Sequence, residues 1–282
     1  MSISRKSLIR GAVAAVALLA GVALTGCAPA SEPVASGDAL QTVTAGKLTI
    51  GTGQPAYEPW VVGDKPESGE GFEAAVAYAV AEKLGFAKAD VVWVRTTFDE
   101  AIAPGAKNFD FNLQQYSITD DRKKNIDFST PYYSTTQTVI TVKGSKAEGV
   151  TTVAGLKGLV IGAASGTTSY QAITDVIKPT SPAQAFNSND DAKAALQSGQ
   201  IDALVVDLPT ALYLTAVELD GGSIVGQLPG TVAGDQFGLV LDKGSSLTAK
   251  VSAAVDALRA DGTLAKLEQQ WLADFAKAPV LK

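Results

Sequence analysis

Histidine is missing from this chain altogether, and cysteine and methionine each occur once, the cysteine as Cys27. Without imidazole there is no His-built metal site and no ordinary general base near neutral pH. A lone thiol rules out an intrachain disulfide and a dithiol redox pair. Positive charge is scarce as well: 23 Lys and Arg stand against 29 Asp and Glu, a formal net charge of −6. Loss of residues 1–26 would remove Arg5, Lys6 and Arg10 but no acid, leaving −9. No basic stripe survives, so nucleic acid is not expected as a partner. There is no GxxxxGK[ST] phosphate loop either, so no nucleotide is implied, and neither cofactor nor metal is expected.

What is there belongs to a globular chain. At 282 residues, 46% hydrophobic and 18% charged, it can bury one large or two medium cores. Near the N-terminus, Arg5, Lys6 and Arg10 precede Gly11 to Leu24, fourteen residues without a charge. That run is shorter than the about 20 residues of a membrane span and has the form of a secretory signal, expected over 1–26. Leu24-Thr25-Gly26-Cys27 resembles the bacterial lipobox, which implies lipidation of Cys27 and an extracytoplasmic protein anchored to the bacterial cell membrane. From 27 to 45 the chain is rich in Ala, Ser and Pro without periodicity, and reads as a flexible tether.

The stretch Asp110 to Tyr133, DFNLQQYSITDDRKKNIDFSTPYY, carries the densest signal. A strand over Phe109 to Leu113 turns polar at Gln114, Gln115, Tyr116 and Ser117, and Thr119-Asp120-Asp121-Arg122 then reads as a capped helix start. Strand ends that hand over to helix N-termini are where open α/β sheets hold small polar ligands. Arg122 would offer a planar fork of donors to a carboxylate there. Taken by itself, it reads first as a solvated residue of a basic helix face with Lys123 and Lys124.

The same design recurs along the chain. Lys47 to Thr52 is a strand leading into a loop with Tyr57. Gly71 to Gly85 is a helix with Phe72, Ala75, Val76, Ala79, Val80 and Leu84 on one face. Val91 to Arg95 is a strand and Phe98 to Ala103 a short helix. A second unit from about Gly144 has a strand at Leu159 to Ala163, then Ser165-Gly166-Thr167-Thr168 opening a helix to about Ile177. Ile201 to Val206 is a buried strand whose carboxyl end carries Asp207, an N-cap or a ligand group.

Five segments in order resemble the family 3 extracellular solute-binding proteins, the amino-acid receptors of ABC importers. They are Ser117 to Lys124, Asp127-Phe128-Ser129 with Pro131-Tyr132-Tyr133, Ser165 to Thr168, Ala203 to Pro209, and Leu258 to Leu264 running on to Trp271. The resemblance implies an α/β, two-lobed periplasmic-binding-protein-like fold, each lobe a mostly parallel sheet flanked by helices, with two hinge crossovers in QTVITV and QFGLVL. Lobe 1 would be 46–138 plus 239–282, and lobe 2 would be 139–238. It further implies that Arg122, with Ser117 and Thr168, binds a ligand α-carboxylate, that Asp207 pairs with the α-ammonium, and that Tyr57 and Phe98 sandwich the side chain. Gly53 and Gln54 stand where several relatives carry an Asp for a cationic side chain, and Gln114 and Gln115 replace smaller residues. Those amides favour a polar uncharged ligand, glutamine- or asparagine-like. An ABC permease and ATPase are the implied partners, and a monomer is expected. A cyclohexadienyl dehydratase on the same fold is the alternative, with Glu58 or Asp207 as its acid or base. A membrane sensor would need a spanning segment and a signalling domain, neither of which is read here.

Overall fold

A computed structural model describes residues 40–229, 234–272 and 278–282. The expected signal segment, Cys27 and most of the expected tether lie outside the described residues.

The chain opens with β1 (Leu48–Gly53), whose side chains are buried on both faces, as a strand covered by helices on two sides requires. Helix α1 (Phe72–Lys83) follows, then β2 (Val91–Thr96), α2 (Phe98–Ile102), β3 (Phe111–Asn112) and β4 (Ile126–Phe128). The core face of α1 is Phe72, Val76, Ala77 and Val80, whereas Ala75 and Ala79 are only half-buried. Alanine on every side of that helix leaves little contrast from which to read a face. Gly85 ends the helix at φ +89°, the left-handed conformation expected of it. The helix expected at Arg122 is a single 3-10 turn, Arg122–Lys124. The Thr119 hydroxyl still accepts the Arg122 N–H at 3.2 Å, so the cap is present although the helix is not.

From β5 (Tyr133–Thr135) the chain runs into β6 (Gln137–Val142), α3 (Val153–Leu156), β7 (Ile161–Ala164), α4 (Thr168–Ala172), β8 (Gln184–Phe186), α5 (Asn189–Gln197), β9 (Ala203–Asp207) and α6 (Leu208–Tyr213). Then come β10 (Gly222–Gln227), β11 (Asp235–Phe237), β12 (Val240–Asp242), α7 (Thr248–Ala260) and α8 (Thr263–Leu272). The Ser188 hydroxyl caps α5 through the Asp191 N–H, and Thr167 caps α4 through the Tyr170 N–H.

Among the described residues the strands form two five-stranded sheets, ordered β2-β1-β3-β12-β4 and β10-β6-β9-β7-β8. Each packs its own core, the first around Trp60, Phe72, Phe111 and Phe237, the second around Val139, Ile161, Val205 and Leu281 on one face and Leu196, Leu204 and Leu214 on the other. The sheets are mixed rather than mostly parallel. In the first, β1 is parallel to β2 and β3, but β12 is antiparallel to β3 and β4. In the second, β7 is parallel to β8 and β9, but β6 is antiparallel to β9 and β10. The antiparallel strands β6 and β12 are those the chain enters on crossing from one sheet to the other. Crossing strands β5 and β11 pair with each other as an antiparallel ribbon, Tyr133 opposite Phe237 and Thr135 opposite Asp235.

The expectation that 239–282 stays with the first sheet fails at its end. Residues 278–282 lie on the second sheet: Val280 bridges Gln227, the Leu281 N–H donates to the Gln227 carbonyl at 2.9 Å, and Leu281 is 3% exposed. Gly226 lacks a side chain there because a Cβ would fall 2.8 Å from Leu281 Cγ. A buried leucine whose removal leaves a cavity costs about 2–5 kcal/mol. Leu281→Ala should lower the melting temperature accordingly, and an unchanged melting curve would show that these residues do not hold the second core together.

Candidate functional site

The first-sheet strands β1, β2 and β3 and the second-sheet strands β7 and β9 all point their carboxyl ends at one cavity of about 250 Å³. Each loop that leaves those ends delivers a side chain. After β1 comes Tyr57, after β2 Phe98, and after β3 Gln114, Gln115, Ser117 and Arg122; Thr168 follows β7 and Asp207 closes β9. All eight residues picked from the sequence line this one cavity.

Arg122 is 9% exposed, and its guanidinium donates to the Ser117 carbonyl at 2.7 Å and to the Gly166 carbonyl at 2.9 Å. The first bond lies within its own lobe and the second reaches the other. The guanidinium also stands 5.2 Å from the Phe98 ring centre, a cation–π distance. Burial lowers its pKa, while Tyr116, Asp207, Asp235 and Asp99 act in the opposite direction. It stays charged, as a guanidinium does.

Asp207 accepts from Gln137 Nε2 at 2.8 Å, and the same nitrogen donates to Asp235 at 2.7 Å. Two carboxylates thus share one amide. Burial, and after it the charge of Asp235, push the Asp207 pKa up to about 8; Gln137 and Arg122 pull it down. Asp207 contributes no N-cap hydrogen bond to α6, so its oxygens are left to Gln137 and the cavity.

The lobes touch across the cleft. The Ser117 and Thr168 hydroxyls are 3.1 Å apart, the Tyr57 hydroxyl donates to Asp190 at 3.2 Å, and the Trp60 indole N–H donates to the Thr210 hydroxyl at 3.1 Å. Phe98 is packed on Tyr116 with ring centres 4.6 Å apart, which fixes its plane at the cavity wall.

Four residues at the cavity or bonded to its lining escaped the sequence reading. Gln137 and Asp235 sit on the two crossing strands, where Gln137 looked like the polar first residue of an apolar run. Asp99 lines the cavity from the first turn of α2, where an acid is already favoured by the helix dipole. Glu73, in the first turn of α1, is 1% exposed and accepts from the Gln115 N–H at 2.8 Å, from the Gln115 side-chain amide and from the Tyr132 hydroxyl. An acid inside the otherwise apolar run Phe72 to Val76 was its one visible signal.

Burial also raises Glu73, to about 7. A carboxyl whose pKa rises on folding keeps a proton that the unfolded chain gives up. The stability it contributes is complete below the unfolded pKa near 4 and is lost as pH climbs through the folded values of about 7 and about 8. The ligand-free protein should therefore melt at progressively lower temperature between pH 5 and pH 9, and Asp207→Asn should flatten that decline. A flat wild-type profile would show that the two carboxyls are not buried as acids.

Similarity to known proteins identifies its relatives. The family model described as bacterial extracellular solute-binding proteins, family 3, matches residues 48–274. The L-arginine-binding protein of Pseudomonas aeruginosa is 29% identical over 77% of this chain and 85% of its own length. The ABC transporter glutamine-binding protein GlnH of Bacillus subtilis is 30% identical over 73% of this chain and 75% of its own. Among solved structures, an ancestral arginine-binding protein bound to glutamine superposes with a TM-score of 0.68 at 32% identity, covering 81% of this chain and 99% of that one.

Proposed function

The chain belongs to the bacterial extracellular solute-binding proteins of family 3, receptors rather than enzymes, and we propose that it captures a free amino acid in its interlobe cleft for an ABC importer. The observation that carries this reading is the placement of Arg122 and Asp207, opposite charges from different sheets, on one cavity. A zwitterion needs both, and a ligand gripped by both lobes favours closure. In this reading Arg122, Ser117 and Thr168 take the α-carboxylate, Asp207 takes the α-ammonium, and Tyr57 and Phe98 cover the side chain. The dehydratase alternative gives way to the receptor reading, since the family and its curated relatives are binding proteins.

The two amides support a glutamine- or asparagine-like side chain. The Tyr116 hydroxyl donates to Gln114 Oε1 at 2.8 Å, which leaves Gln114 its NH2; Gln115 spends an N–H on Glu73, which leaves it a carbonyl. One donor beside one acceptor complements a carboxamide. Gly53 fits this arrangement: a Cβ there would lie 2.9 Å from Gln114 Nε2. Asp99 on the cavity wall favours a second reading, a cationic side chain of the arginine type. Cys27 would anchor the receptor by lipid, with a permease and ATPase as its membrane partners and the receptor itself a monomer.

A thermal-shift screen of the twenty amino acids tests the reading. A true ligand at 100 times its Kd should stabilise by about 2.7 kcal/mol. Arg122→Ala and Asp207→Ala should each weaken binding by tens of fold, from about 1.5–3 kcal/mol per charge-assisted bond. Survival of binding in both variants would refute the assignment, and tightest binding to arginine or lysine would favour Asp99 over the amides. Because Asp207 holds a proton up to about pH 8, pairing with an α-ammonium at pH 7 should release that proton. Calorimetry in buffers of different ionisation enthalpy should give different apparent binding enthalpies; identical ones would count against Asp207.

A further inference from the structure

Glu73 is a buried carboxyl that the binding scheme does not use. It lies behind the cavity floor, and its three hydrogen bonds all come from donors: the Gln115 backbone N–H, Gln115 Nε2 and the Tyr132 hydroxyl. Two of the three hold one residue. Gln115 has φ +52°, in the left-handed region that is unfavourable for a side-chain-bearing residue, so a firm partner is needed to keep it there. An ionised carboxylate can only accept, so the end of the Gln115 amide that meets it must be the NH2. The opposite end, Oε1, makes no hydrogen bond among the described residues, and Gln115 lines the cavity.

We propose that Glu73 is a positioning residue that decides which end of the Gln115 amide is offered to the ligand, and so makes the pocket floor demand a hydrogen-bond donor from the ligand side chain. This rests on the receptor reading above. With Glu73 ionised, Gln115 presents a carbonyl; a ligand side chain that can only accept would set oxygen against oxygen. With Glu73 protonated, the new O–H donates to Gln115 Oε1, the amide turns over, and its NH2 faces the ligand instead. The proton and the Gln115 amide group are what change between the two states. No ligand contact with Glu73 is involved.

The test compares two neutral ligands, glutamine and glutamic acid γ-methyl ester, which differ in whether the side chain can donate. Their affinity ratio is free of any direct charge effect on the side chain. Wild type should prefer glutamine by about tenfold or more, the consequence of leaving a buried acceptor unpaired. In Glu73→Gln, which can hold the Gln115 amide either way round, the ratio should fall towards one.

A second measurement needs no variant. The titratable groups facing Glu73 are Tyr132, Tyr116 and Asp207. Burial keeps both phenols neutral, and Asp207 acts on the α-ammonium that the two ligands share, so its titration cancels in the ratio. Glu73, raised by burial to about 7, should therefore make the wild-type ratio drop between pH 8.5 and pH 6. A ratio unmoved by both the substitution and pH overturns the proposal while leaving the receptor reading intact. Failure of wild type to bind any amino acid overturns both.

Discussion

Everything at the proposed site depends on keeping a guanidinium and a carboxyl group in one cleft without letting them pair with each other. Arg122 is tied to two backbone carbonyls and Asp207 to the Gln137 amide, so each group is held by neutral dipoles rather than by the other. Desolvation of an unpaired charge is costly, and its mark is the raised pKa of Asp207 and the lowered one of Arg122. A ligand carrying both charges relieves both at once. In the proposed function this is a stronger reason for zwitterion selectivity than either contact alone.

The fold supplies the separation. Parallel βα units aim strand ends and helix starts at the cleft, and the antiparallel crossing strands β6 and β12 let a single chain build two such faces opposite each other. The β5–β11 ribbon carries Asp235, which shares Gln137 with Asp207. The site and the crossing point are therefore one hydrogen-bonded network, so a change in the charge on Asp207 is felt where the lobes join. The C-terminal segment adds a further link, since α8 packs with the first core while Leu281 packs with the second.

Much of this was legible in the residues. The main strands and helices, the cap at Thr119 and the polar strand end that leads to Arg122 follow from local patterns, apolar runs ending in polar groups, while the resemblance to a family picked out Tyr57, Phe98 and Thr168 among the eight side chains gathered at the cavity. The misses have a common cause. Glu73, Asp99, Gln137 and Asp235 each occupy a position where the bland explanation, a helix first turn or a strand end, accounts for the residue type by itself. Only their neighbours in space distinguish them.

The residues alone thus determined most of the elements, and that an arginine would follow one strand and an aspartate close another. Those features are local, set by propensity, periodicity and caps within a few positions. Tertiary structure alone decided that the sheets are mixed, that residues 278–282 return to the second core, and that Gln115 is held in a left-handed turn by a carboxyl 42 positions away. Pairing direction, return paths and long-range partners depend on which surfaces meet after the chain has collapsed, and no window of sequence contains both sides of such a contact.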